Sequence, residues 1–410
     1  MKIVLLGAGL QGIATALDLA SNKNIDEVVI ADYDLKRAQH VSDQCNRKYG
    51  NKTCAVFADA NKHDELVKII KGSDFVINEV NYYFNTKVMD ACLEAGVNYM
   101  DLGGLFIETK KQIKYNDKFK EAGLLAIPGI GGTPGVTNVC ARYAADRLDT
   151  VESVDVFCAC DDWSSSEKTF EVTYAIETVM DEFHMKPIQF LDGEYKEVEP
   201  KSGGMTVQYP APIGEMFSYF IMHSEVATIP ESFKDKGIKH CTFRVGFPDD
   251  VSEKLNFLHG LGFSSTEPIE IDGMKVNPVH ALKALMDLQP DDPEATVNDC
   301  DIIKIVVIGI KDGKKVEYTL EMVCRTTAEW PELLGAQVYI GGAPSWTAEL
   351  YRRGLITEKG VIPPEMCIPP EALFEEAAKR EMYVTCTRRE LIGSDDWEAI
   401  KSKYKIDQSE

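Results

Sequence analysis

Basic charge is what this sequence is short of. Against 66 Asp and Glu it sets 44 Lys and Arg, for a formal net charge of −22. A polyanion needs a cationic face to displace its counterions, so neither nucleic acid nor an anionic membrane surface is an expected partner. Apolar residues make up 44% of the chain, enough for a globular core. No apolar run reaches the length of a bilayer span, so no transmembrane helix is expected. The 11 cysteines are scattered without any C-x-x-C, and Cys158 and Cys160 are the one close pair. Neither a zinc site nor a disulfide framework is expected, and a reducing, cytoplasmic compartment fits best. Signal-peptide pattern, internal repeats and low-complexity tracts are absent too.

What is present begins at the first residues. Lys2 to Leu6 is a short apolar run of strand type, followed directly by Gly7-Ala8-Gly9-Leu10-Gln11-Gly12. Ile13 to Leu19 has helical spacing, and Glu27 to Ala31 is a second strand that ends at Asp32. Strand, G-x-G-x-x-G, helix, strand and acid in register form a dinucleotide-binding fingerprint. Gly7 permits the tight turn, Gly9 lets backbone approach a pyrophosphate, and Gly12 allows close helix–strand packing. Leu10 and Gln11 complete the turn, whose amides face the phosphate charge. Asp32 can accept from a ribose 2′-hydroxyl and would repel a 2′-phosphate, which predicts NAD over NADP. Lys36 and Arg37 lie close by and could serve a phosphate instead.

Short strands then alternate with helices as far as Leu124–Ile127, the third strand closing at Asp59. The pattern predicts a doubly wound parallel α/β sheet, a Rossmann domain over residues 1–132. Its ligand crevice should lie at the carboxyl ends of the first and fourth strands. Gly129 to Gly135 reads as a hinge and as a wall of the site. Residues 133–335 read as an α+β domain with a mixed or antiparallel sheet, with helices over Phe170–Phe183, Val251–Leu261 and Pro278–Leu288. A hairpin is expected around Asp312-Gly313. Residues 336–410 return to a helical pattern and should fold back on the nucleotide domain. In that tail Pro344 is expected to open a helix, the Pro pairs at 363–364 and 369–370 to form turns, and Asp395, Asp396 and 407–410 to be exposed.

A nicotinamide enzyme must place a hydride and control one proton. Asn78 to Tyr83 follows the fourth strand, so Asn78 and Val80 are expected at the nicotinamide ribose, with Glu79, Tyr82 and Tyr83 as polar crevice groups and either tyrosine a candidate base; each could equally be a loop residue in water. Asp101 ends the fifth strand before Leu102-Gly103-Gly104. It is either a proton acceptor beside a backbone that meets the ligand at Gly103, or a turn former. In the second domain His223 is the group most able to exchange a proton near neutral pH, though a lone histidine is often only a packed one. Arg244, on a strand and on the same face as Thr242, needs an anionic partner, either a substrate or a structural carboxylate.

With these residues in view the chain resembles the saccharopine dehydrogenase superfamily, and within it the NAD-dependent L-lysine 6-dehydrogenase branch. The resemblance rests on Gly7 to Gly12 with Asp32, Val80 to Thr86, Tyr99 to Gly104, Thr133 to Asn138, and Gly354 to Glu365. It implies a Rossmann domain completed by C-terminal helices, and an α+β domain carrying substrate site and dimer contact. It also implies NAD-dependent oxidation at an amine-bearing carbon of a small amino acid or diamine through an imine, or the reverse reduction. In that branch His223 and Arg244 would be site residues, Arg244 holding the substrate carboxylate. Where the branch has a Ser-Gly-Gly type turn, this sequence has Ser224-Glu225-Val226, and Glu225 would pair a second amine. The alternative within the family is a reductive condensing enzyme of saccharopine or carboxynorspermidine dehydrogenase type. Outside it stands a non-catalytic NAD-sensing module.

Overall fold

The structure is a computed structural model, and it describes residues 1–165, 168–290 and 295–392. From the N-terminus run β1 (Lys2–Leu6), α1 (Gly12–Ser21), β2 (Glu27–Asp32), α2 (Leu35–Tyr49), β3 (Thr53–Phe57), α3 (His63–Ile70) and β4 (Phe75–Asn78). There follow α4 (Asn85–Ala95), β5 (Asn98–Asp101), α5 (Phe106–Ile113), α6 (Asn116–Glu121), β6 (Leu125–Ile127) and α7 (Val136–Ala145). The middle contains β7 (Thr150–Asp162), α8 (Ile176–His184), β8 (Ile188–Leu191), β9 (Glu194–Glu197), β10 (Met205–Gln208), β11 (Glu215–Phe220), α9 (Glu225–Ser232) and β12 (His240–Gly246). Then come α10 (Asp249–Gly260), β13 (Ile269–Ile271), β14 (Met274–Val276), α11 (Pro278–Asp287), β15 (Asp299–Lys311) and β16 (Lys314–Cys324). The chain closes with α12 (Gly335–Arg352), β17 (Gly360–Val361), α13 (Pro364–Cys367), α14 (Pro370–Ala378) and β18 (Val384–Glu390).

Two compact units result. The first gathers Met1–Arg147, Ala227–Asp235 and Gln337–Val384. Its sheet is parallel with strand order β17-β6-β5-β4-β1-β2-β3. The order reverses between β1 and β4, which opens the expected crevice at their carboxyl ends. β1 from Ile3 to Leu6 and β4 from Phe75 to Ile77 are apolar and buried, as strands covered on both faces require. In this unit α12 and the end of α14 are tied to α1 through Asp18, which is 1% exposed. Asp18 accepts from Ser345 Oγ at 2.5 Å and from two Arg380 nitrogens at 2.7 Å each.

The first segment of this unit extends through Arg147. Gly129 to Gly135 is not a flexible linker but packed backbone. A Cβ on Gly132 would lie 1.9 Å from the Tyr339 ring, and one on Gly135 would lie 2.2 Å from Gly131 O. These glycines are present because nothing larger fits.

The second unit holds the mixed sheet β10-β11-β12-β7-β15-β16-β18, with β8 and β9 branching from β12. β12 and β7 are parallel, while β15 pairs antiparallel with β7 and β16. The β15–β16 turn has Asp312 at φ 52° and Gly313 at φ 74°, the paired left-handed residues of a tight hairpin.

Several local expectations are corrected. The helix expected over 170–183 begins only at Ile176. Pro344 lies inside α12, which begins at Gly335. Its start is capped at long range by Asp299, which accepts from the amides of Gly335 and Ala336 at 2.8 and 3.2 Å. The Pro pairs do not merely turn the chain: Pro364 and Pro370 each occupy a first helical position, where a missing N–H costs nothing. The expectation for Asp395, Asp396 and 407–410 lies outside the described residues.

Candidate functional site

The glycine turn is built by steric necessity. Gly7 has φ 102°, and a Cβ there would lie 2.7 Å from the Glu79 carbonyl oxygen. A Cβ on Gly12 would lie 2.1 Å from Gly7 O. Gly9 is different: nothing lies within 4 Å of its Cβ position. Backbone there is open to a pyrophosphate, beside the amides of α1.

Asp32 closes this turn. Its Oδ2 accepts from Ala8 N and its Oδ1 from Asp34 N, both at 2.7 Å. The residue also lines a cavity of about 360 Å³ at the ends of β1, β2 and β4, whose walls include Ala31, Ala58, Asp59 and Val80. The lining holds two carboxylates and no Lys or Arg. Asp59 also accepts from Asn61 N at 2.9 Å and so shapes its own turn. Leu10 is half exposed, and its carbonyl accepts from Gln337 Nε2 at 2.7 Å. Gln11 buries both side-chain polar atoms without a partner among the described residues. Turn, open Gly9 and cavity fit a dinucleotide.

Asn78 and Asp101 occupy neighbouring register positions on β4 and β5 and are both 1% exposed. Asn78 Nδ2 donates to Asn85 Oδ1 at 2.8 Å. Asp101 accepts from Gly103 N at 2.7 Å, Gly129 N at 3.0 Å and Gln112 Nε2 at 2.5 Å. Burial pushes its carboxyl up in pKa against the pull of these donors. Of the two readings for Asp101, the structure carries the turn former: its oxygens are committed to bracing two loops. Gly103, at φ 72°, belongs to that brace. Tyr82 is buried and Tyr83 exposed, their rings edge to face at 4.7 Å.

In the second unit His223 is 5% exposed and stacks on Phe243, with ring centroids 4.0 Å apart. Its Nδ1 is hydrogen bonded to Glu225 Oε2, and Glu225 is fully buried at the start of α9. Its Nε2 has no bond among the described residues. Burial depresses the His223 pKa, but the charge and hydrogen bond of Glu225, with Glu182 adding to them, raise it overall. Glu182, on α8, is itself pushed up to about 7 by burial, opposed by the His223 charge and by the hydrogen bond from Tyr174. Tyr174 OH donates to Glu182 Oε2 at 2.5 Å. Glu182 and Tyr174 had no marker in the sequence, being 41 and 49 residues from the histidine they serve.

Arg244 does not join this cluster. Successive strand residues point to opposite faces, so Phe243 with His223 lies on one side of the sheet and Arg244 on the other. There Arg244 Nε donates to Gly203 O at 2.9 Å, and Nη1 donates to Thr242 Oγ1 at 2.8 Å and reaches Asp155 Oδ1 at 3.5 Å. Its guanidinium covers the Phe220 ring at 4.1 Å. The expected anionic partner is thus the structural carboxylate Asp155.

The chain also matches known proteins along most of its length. Residues 3–127 match the saccharopine dehydrogenase NADP binding domain, and residues 131–382 match the saccharopine dehydrogenase C-terminal domain. The chain belongs to the saccharopine dehydrogenase family. It is an oxidoreductase with a nicotinamide cofactor. A carboxynorspermidine synthase of Vibrio alginolyticus is 30% identical over 398 residues, 90% of this chain and 93% of that protein. A carboxyaminopropylagmatine dehydrogenase of Synechocystis is 28% identical over 358 residues, 84% of this chain and 87% of that one. Apo saccharopine dehydrogenase (L-Glu forming) of Saccharomyces cerevisiae shares the fold, with a TM-score of 0.71 at 15% identity, covering 95% of this chain and 99% of that one.

Proposed function

We propose that this dehydrogenase reduces the imine formed between a carbonyl substrate and a diamine or amino acid, giving a carboxylated secondary amine. The observation that carries this reading is the acidic lining of His223. Glu225 and Glu182 are both buried beside one imidazole. Glu225 offsets the imidazolium, and Glu182 adds negative charge as it ionises near 7, so the cluster favours a cationic amine over an anionic ligand. Two relatives named for carboxylated polyamines agree. They support the condensing reading over ε-deamination of lysine, for which no relative described above is named.

When bound, the dinucleotide supplies hydride to the imine carbon. The chain's own part is the proton. Joining an amine to a carbonyl releases water, and the departing oxygen must be protonated. His223 is held through Nδ1 by Glu225 and fixed in plane by Phe243, which leaves Nε2 to carry that proton. Tyr174 and Glu182 hold the far side of the cluster. Asp32 and Asp59, with no cation in the cavity, favour NADH over NADPH. Arg244 has no part in this site.

Steady-state assays with NADH, a panel of aldehydes and α-keto acids, and a panel of diamines and amino acids test the reading. Coenzyme oxidation only when a carbonyl and an amine are both present supports it. Reduction of NAD by lysine alone, with no condensing activity, overturns it.

A further inference from the structure

Beneath the glycine turn lies a carboxyl group that the reaction does not use. Glu79 follows β4, and its amide donates to Leu6 O at 2.7 Å. Its side chain turns under the dinucleotide turn, with Oε2 3.7 Å from where a Cβ on Gly12 would stand. Oε1 is 2.5 Å from Thr15 Oγ1 on α1, and that hydroxyl is 2.8 Å from Gly341 O on α12. Oε2 is buried with no partner among the described residues.

One proton count bears on the state of this group. A hydroxyl has a single proton, a carbonyl can only accept, and Thr15 Oγ1 stands within reach of three acceptors: Glu79 Oε1, Gly341 O and, at 3.4 Å, Gln11 O. A neutral Glu79 resolves the competition, since it donates to Thr15 and frees the hydroxyl proton for Gly341 O. Among the described residues no cation pairs with the carboxyl, and Thr15 on α1 is its hydrogen-bond neighbour. Charged groups of the adjoining elements are engaged elsewhere: Asp18 with Arg380, Asp32 with Ala8 N, and Glu349 with Arg352 on α12. Burial accordingly pushes Glu79 up to about 8.

We propose that Glu79 is a positioning residue for the dinucleotide that works only as a neutral acid, linking the glycine turn to α12 and leaving the positive end of α1 to the pyrophosphate. Once ionised, it would place a negative charge under the same turn and compete for that helix end. Coenzyme affinity then falls as the group loses its proton. This rests on dinucleotide binding by the first unit and is independent of the substrate assigned above.

The test is direct binding of coenzyme to the full chain by fluorescence titration between pH 6.5 and 9.5. With the group titrating near 8, the dissociation constant should hold steady to about pH 7.5 and rise about 30-fold by pH 9.5. Glu79→Gln keeps the shape and a donor but cannot ionise, so its affinity should stay level. The same slope with NADH and with NADPH separates this effect from coenzyme choice. An infrared band of a protonated carboxylic acid at pH 7, absent from Glu79→Gln, gives a second readout on the unliganded chain. A wild-type affinity that is level with pH, or a variant that follows the wild-type slope, overturns the proposal.

Discussion

Phe243 and Arg244 are consecutive on β12. The first carries the His223 ring on one face of the sheet, and the second lies over Phe220 beside Asp155 on the other. Two residues that the sequence offered as partners in one site are therefore separated by the sheet itself.

Replacing Arg244 by Met should act on stability and leave substrate binding alone. The pair with Asp155 is partly open, with side-chain exposures of 13% and 28%. Its loss should cost roughly 2 kcal/mol, below the range for fully buried pairs. Denaturant unfolding and steady-state kinetics check this; a tenfold rise in KM for the carbonyl substrate would restore Arg244 to the site.

His223→Asn should lower kcat by about 10²- to 10⁴-fold, the usual worth of a positioned proton donor. The His223 pKa is raised. Its acid form is thus complete at low pH, and activity is lost as pH rises through that raised value. Glu225→Gln removes the charge that raises it, so the basic limb of the kcat profile should move to lower pH. A limb that stays in place would show that another group carries the proton.

Wild-type enzyme should prefer NADH. Asp32→Ser should cut the ratio of kcat/KM for NADH to that for NADPH by about tenfold or more, equal to about 1.4 kcal/mol. Part of the loss will fall on both coenzymes, because Asp32 also holds Ala8 N. A wild-type preference for NADPH would sink this reading.

Arg380→Met strands Asp18 as an unpaired buried charge. Loss of about 3–5 kcal/mol is expected. Adding Asp18→Asn should recover much of it, since the amide carries no charge to desolvate. If the double variant is no more stable than the single one, the ion pair is not what joins α14 to α1.

The turn from Gly7 to Gly12 and the acid at Asp32 were legible from the first 32 residues, because each glycine answers a local demand of backbone geometry. The doubly wound parallel sheet followed from strands alternating with helices, and the Asp312-Gly313 hairpin from its two turn residues. The two-residue β17 carries too little pattern to be seen, and it exists because β6 offers a free edge. α12 was misplaced because Asp299, which caps it, is 36 residues away from Gly335.

By itself, then, the sequence determined the nucleotide half of this protein, where neighbours along the chain are neighbours in space. Tertiary structure alone decided that Asp101 braces loops, that Arg244 and His223 part company across a sheet, and that Tyr174 and Glu182 join His223. The reason is physical: burial and proton sharing depend on which distant side chains close around a group, and spacing along the chain does not encode that.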